Sequence, residues 1–191
     1  MATLIGKLSP SITNLIRIDH AQVLATFQQY HAGTSLAKKQ ALAESACLAL
    51  ELHAELEEEI FYPALRELAS DVGVVEKSFP EHAEVRRLIT RLRGMSPADA
   101  QYETTFMELM RDVMHHVADE ETTLLPAAER LLPERLGDLG AEMTRRRLQQ
   151  LASRAGELAA NTVRTLPESA FLATSGLMAA GATLFGRSGV R

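Results

Sequence analysis

His53-Ala54-Glu55-Leu56-Glu57-Glu58, followed by Pro63, and His116-Val117-Ala118-Asp119-Glu120-Glu121, followed by Pro126, are one phrase written twice. Both read H-x3-E-E-x4-P. A second shared phrase lies upstream of each: Asp19-His20-Ala21-Gln22-Val23 before the first, Glu81-His82-Ala83-Glu84-Val85 before the second. His20 and His53 are 33 residues apart, and His82 and His116 are 34 apart. Self-similarity of this kind marks a duplicated supersecondary unit. Each half contributes one helix with a single histidine, a turn, and one helix with His-x3-Glu. Two such helix pairs make a four-helix bundle with pseudo-twofold symmetry.

The surrounding sequence agrees with an all-α chain. Apolar residues recur at three and four, Gly and Pro fall at intervals, and no alternating run rich in β-branched residues occurs. The pattern predicts a first helix from about Ser9-Pro10-Ser11 to Gly33. A second runs from Leu36 to about Ser70, bent or ended by Pro63, since proline removes a backbone donor. The third starts at Phe79-Pro80-Glu81 and stops at Gly94. Ser96-Pro97-Ala98-Asp99 reads as an N-cap followed by an N1 proline, opening a fourth helix that runs to Pro126 or Leu132. Pro133 opens a fifth and Pro167 a sixth.

Composition narrows the function. Of 191 residues, 46% are hydrophobic and 24% charged, as in a globular protein. Twenty Lys and Arg against 25 Asp and Glu give a net charge of −5 with no basic run, so no nucleic-acid partner is expected. The one cysteine, Cys47, excludes an internal disulfide and a thiolate metal site, and reads as a small buried hydrophobe. Met1 to Lys7 is too short and weakly apolar for a secretory signal, which points to the cytoplasm.

Residues four apart on a helix share a face, so His53 with Glu57, and His116 with Glu120, can aim at one spot. Imidazole and carboxylate together suit iron, manganese, zinc or copper, whereas calcium and magnesium prefer all-oxygen shells. Four histidines (His20, His53, His82, His116) and two glutamates (Glu57, Glu120) are too many for one tetrahedral zinc. They suit two adjacent metals bridged by the glutamates. Singly, His20 reads as a surface histidine and His53 with Glu57 as a solvated pair; the repetition makes them a set. His31 reads as a helix-end residue. His115 is about 100° around the helix from His116 and falls outside the repeat. Glu58 and Glu121 repeat but are offset by one, which places them behind the ligands or in solvent. Tyr62 reads as core. A ferritin-like di-iron bundle needs Glu-x-x-His on two helices, and the sequence contains none.

The ordered set His20, His53-x3-Glu57, His82, His116-x3-Glu120, with Pro63 and Pro126, resembles the hemerythrin family, in its hemerythrin-like (HHE cation-binding) branch. The resemblance covers residues 10 to 132. It implies an up-down four-helix bundle around a non-haem centre of two iron ions, open to a small diatomic or peroxide ligand. Oxygen-carrying members present His-x3-His on the third helix and an Asp five residues after the fourth-helix histidine. Here the third helix reads His82-x3-Arg86, and the carboxylate is Glu120, four residues on. One iron would lack a histidine, leaving water, Glu81 or Glu84 to fill the gap. That favours iron binding, sensing, or peroxide or nitric oxide chemistry over oxygen carriage. A catalase-like enzyme and an oligomerising scaffold with a structural metal remain open as alternatives.

The pattern predicts a helical C-terminal extension over residues 133 to 191. From Ala170 to Gly186 there are 17 uncharged residues. A membrane-spanning helix needs about 20 mostly apolar residues, and much of this stretch is Ala, Gly, Ser and Thr. Phe171, Met178 and Phe185 at heptad spacing suit one stripe packed on the bundle or on a second copy as a homodimer, with membrane association through residues 170–186 as the lesser alternative.

Overall fold

The computed structural model describes residues 10–67 and 73–154, all helical or in the turns between helices. Helix α1 is Ile12–Gln28 and α2 is Leu36–Leu56. A π-helical turn, Glu57–Phe61, carries α2 into α3, Tyr62–Arg66. Helix α4 is Gly73–Arg93 and α5 is Tyr102–Asp119. A second π-turn, Glu120–Leu124, carries α5 into α6, Leu125–Leu131. Helix α7 is Leu136–Ser153. The stretch from 170 to 186 and the predicted sixth helix lie outside the described residues. No helix among the described residues is long and apolar enough to cross a membrane.

Helices α1, α2, α4 and α5 form the up-down four-helix bundle, each packed on two neighbours in the ring α1, α2, α4, α5. Ser11 caps α1 by accepting from the Asn14 amide, and Ser35 caps α2 by accepting from Lys38. Along α1 the buried positions Ile12, Ile16, His20, Val23 and Phe27 make one stripe, so His20 sits in an otherwise apolar face. The core is correspondingly split. One apolar layer is built around Phe27, Leu50, Leu88, Phe106 and Leu109. The other is built around Ile12, Ile16, Leu56, Phe61, Leu65 and Leu125. The four repeated histidines lie between the two layers.

Four predicted boundaries move: the first helix ends at Gln28 rather than Gly33, and three helix starts shift. The third helix starts at Gly73 rather than Pro80, which lies inside it. An interior proline costs about 3 kcal/mol, but the added turns bury Val75 and set the Phe79 ring against Tyr62 at 5.5 Å. The fourth helix opens at Tyr102 rather than Pro97. Asp99 folds back to accept from the Ser96 amide at 2.7 Å, closing a turn where a helix start was expected. The fifth opens at Leu136, one turn after Pro133. It is a fifth helix laid across α1, α2 and the first π-turn.

Pro63 and Pro126 bend neither helix to a stop. In each half the residue before the proline donates five residues back, Tyr62 to Glu57 and Leu125 to Glu120. The widened turn carries the chain through a proline that an α-helix would resist, and such turns concentrate at functional sites.

Candidate metal centre

The six predicted residues come together, all buried, with Glu57 and Glu120 fully so. The i,i+4 spacing sets His53 Nε2 3.2 Å from Glu57 Oε2 and His116 Nε2 3.6 Å from Glu120 Oε2. Each glutamate also reaches the other half. His82 Nε2 is 3.5 Å from Glu57 Oε2, and His20 Nε2 is 3.2 Å from Glu120 Oε2. The imidazoles fall into two closer pairs: His20 with His53 at 5.0 Å between ring centres, and His82 with His116 at 4.7 Å. His53 stands 6.3 Å from His82 and 6.2 Å from His116. Both glutamates therefore span two imidazole pairs.

The outer ring nitrogens face carboxylates in a pattern with the same twofold logic. His20 Nδ1 meets Glu121 and His82 Nδ1 meets Glu58, both at 2.9 Å and both across the halves. His116 Nδ1 meets Glu81 at 2.9 Å, and His53 Nδ1 faces Asp19 at 3.6 Å, both within a half. Each outer carboxylate in turn meets a cation: Glu121 meets Arg17, Glu58 meets Arg86, Glu81 meets Lys77, and Asp19 meets Arg147. At His20, His82 and His116 the carboxylate at Nδ1 requires an Nδ1–H that donates outward. That turns the Nε2 atoms inward, as in ligating imidazoles. His82 and His116 then face each other Nε2 to Nε2 at 3.1 Å.

Burial sets the electrostatics. It pushes the Glu57 carboxyl well above the ordinary range, and the Glu120 charge adds to this. Burial also works against ionised Glu120, but hydrogen bonding from His20 and the field of His116 and His53 prevail and keep it low. Burial, together with His116 and His53, holds His82 down at about 4. His53 is lowered by burial as well. His53 Nδ1 and Nε2 and Glu57 Oε1 are buried with no hydrogen-bond partner. Orphaned polar atoms of this kind cost several kcal/mol each unless a partner or a bound cation satisfies them. His53, Glu57, His82 and His116 form one group whose donor atoms all lie within 4.8 Å of one another; His20, His53, Glu57 and Glu120 form another. The cluster can hold a metal ion, and its nitrogen and carboxylate donors suit a transition metal.

Tyr62 is core, as expected, yet its hydroxyl belongs to the site. It donates to Glu57 at 3.0 Å or to Glu120 at 2.9 Å and lies 3.5 Å from His82 Nε2. Burial and the two carboxylates keep the phenol protonated. Glu81 and Glu84 do not fill the place of the missing histidine: Glu81 supports His116 from outside, and Glu84 forks Arg87 at the surface. Arg86 turns to Glu58. His115 and His31 are exposed. Beside His20, His53 and His116 lies a cavity of about 10 Å³, faced by Val23, Leu50, Val113 and Val117. It has room for about one water-sized molecule.

A family model for the hemerythrin HHE cation-binding domain matches residues 11–128. A curated protein from Nostoc, named a DNA nickase, is 31% identical over 121 residues, which are 63% of this chain. The chain spans about a third (34%) of that relative's length. A crystal structure of an HHE cation-binding domain-containing protein from Mycobacterium kansasii superposes with a TM-score of 0.66 at 20% identity. The match covers 82% of this chain and 99% of that one, a likeness of fold.

Proposed function

The chain belongs to the hemerythrin HHE cation-binding family, and from that premise we propose that it holds two non-haem iron ions and offers them to a small ligand, oxygen, peroxide or nitric oxide, in the cytoplasm. The carrying observation is the pairing of the donors: two imidazole pairs, 5.0 and 4.7 Å within a pair, spanned by two fully buried glutamates. His20 and His53 would hold one ion and His82 and His116 the other, with Glu57 and Glu120 supplying carboxylate oxygens. Bound iron would supply one-electron redox chemistry and an open coordination position.

The protein's own residues prepare that position. Arg86 stands where a further histidine would be and is spent on Glu58, so the His82 and His116 side carries one imidazole fewer than an oxygen carrier. The cavity under His20, His53 and His116 admits only a molecule of a few atoms. Its valines and leucine exclude water and strengthen every charge interaction inside. The Tyr62 hydroxyl supports the second reading, peroxide decomposition, because it is a buried proton donor within reach of both glutamates. Two-metal centres also cleave phosphodiesters, and the named relative is a DNA nickase. The burial of both glutamates keeps a DNA phosphate out, so the proposal leaves nucleic acid aside.

The test is to load the protein with ferrous iron without oxygen and then expose it to oxygen, peroxide and nitric oxide under a spectrometer. We expect oxidation by air rather than a reversible oxygen adduct. Clean cycling between deoxy and oxy spectra would contradict the proposal's account of Arg86. Oxygen release from added peroxide that falls at least tenfold in Tyr62→Phe, with iron content unchanged, would establish the enzymatic reading. Nicking of supercoiled plasmid by the iron-loaded protein would overturn the small-ligand reading.

A further inference from the structure

We infer that α7, a helix outside the stretch matched by the family model, is a working part of the metal centre: Arg147 is a positioning residue that fixes Asp19 and, through it, His53. The inference rests on the di-metal reading above and concerns what keeps one half of that site in shape.

The four outer carboxylates are not equivalent. Glu121, Glu58 and Glu81 each sit 2.9 Å from an imidazole Nδ1. Their cations, Arg17, Arg86 and Lys77, come from α1 and α4 of the bundle itself. Asp19 is one methylene shorter than its repeat counterpart Glu81 and stands 3.6 Å from His53 Nδ1. Its cation comes from α7, where Arg147 forks both oxygens, Nη1 to Oδ1 at 2.7 Å and Nη2 to Oδ2 at 2.5 Å. A bidentate arginine fixes a carboxylate in angle as well as distance. With the fork gone, a mostly buried carboxylate would lose its charge partner and turn toward water, leaving His53 without its outer carboxylate. The Asp19–His53 contact is at ion-pair distance, 3.6 Å, and short of a formed hydrogen bond, so it depends on Asp19 being held in place. A ligating histidine that loses such an outer partner typically loses about 10- to 100-fold in metal affinity.

Helix α7 is docked firmly enough for this role. Arg146 forks Glu59 at 2.6 and 2.8 Å, and Gln150 and Arg154 reach Glu55 at 3.0 and 2.5 Å. These contacts hold α7 on α2 and the first π-turn without touching an imidazole or its outer carboxylate, and they supply the control.

The experiment is anaerobic titration of the metal-free full chain with ferrous iron and, separately, cobalt(II), read by stoichiometry, affinity and the cobalt absorption bands. Arg147→Ala should weaken one of the two metals about 10- to 100-fold and leave the other. Asp19→Asn should do the same, and the double variant should lose no more than either single one. Arg147→Lys should recover part of the loss. Arg146→Ala should bind both metals as the wild type does. Arg147→Ala or Asp19→Asn binding both metals with Arg146→Ala affinity would overturn the inference while leaving the di-metal reading intact. Absence of metal uptake by the wild type would overturn both.

Discussion

His82 and His116 show how much a single side chain reports. His82 is held down at about 4 by burial and by its imidazole neighbours, against 6.5 for a free imidazole. Between those values the unfolded chain takes up a proton that the folded chain does not. The contribution of His82 to stability is therefore complete above pH 6.5 and is lost as pH falls toward 4. The size is on the order of 3 kcal/mol. Comparing denaturant unfolding of metal-free wild type with His82→Gln isolates it: the advantage of the wild type should shrink by about that amount between pH 7 and pH 4. A difference that stays constant with pH would contradict the assignment. His116 makes the sharper metal test. It is buried and aimed inward while its neighbour His115 is exposed, so His116→Ala should lose at least one metal and His115→Ala should keep both, as read by iron content per chain. The reverse result would mean the two halves are aligned one residue out of step. The side chains pointing inward were legible because a repeat at i and i+4 carries its own alignment. The outer acids were half legible: Asp19 and Glu81 stand in the repeated phrase itself, but nothing in a linear spacing says that they serve His53 and His116 rather than a metal.

At the scale of elements, the two π-turns are what the sequence concealed. Five residues apart is about 140° on an α-helix, which would separate Tyr62 from the face of Glu57. A turn with five-residue hydrogen bonds returns the fifth residue to the same face, and the phenol reaches both glutamates. The signal was present in the repeated E-x5-P spacing, where a proline that ought to end a helix recurs in both halves. Helix α4 hid in a similar way, since Val75 and Phe79 favour the helix by packing that no local propensity records. Helix α7 offers a direct test of docking. A Cβ on Gly140 would overlap the Pro10 carbonyl oxygen and stand 2.9 Å from the Ile12 amide nitrogen, whereas one on Gly137 meets nothing within 4 Å. Gly140→Ala should therefore destabilise the protein by about 1 to 3 kcal/mol, because backbone must move. Gly137→Ala should be neutral or gain up to about 1 kcal/mol from helix propensity. Thermal or urea unfolding of the two variants separates them, and equal midpoints would show that α7 does not seat against α1 as described.

For the whole molecule, the architecture is two apolar layers closed around one polar one. The apolar layers account for the bundle, and the sequence declared them through ordinary helical periodicity. The polar layer runs against that account, since imidazoles and carboxylates cost several kcal/mol each in such a place without compensation. Duplication explains why they occur in matched sets, and a bound cation would offset their cost. The measurement that bears most directly on this is the number of metal ions bound per chain, by elemental analysis after anaerobic loading with ferrous iron, alongside the thermal midpoints of the metal-free and loaded forms. The account predicts two irons per chain and a clearly higher midpoint when loaded. Saturation at one metal, or a midpoint unmoved by loading, would contradict it.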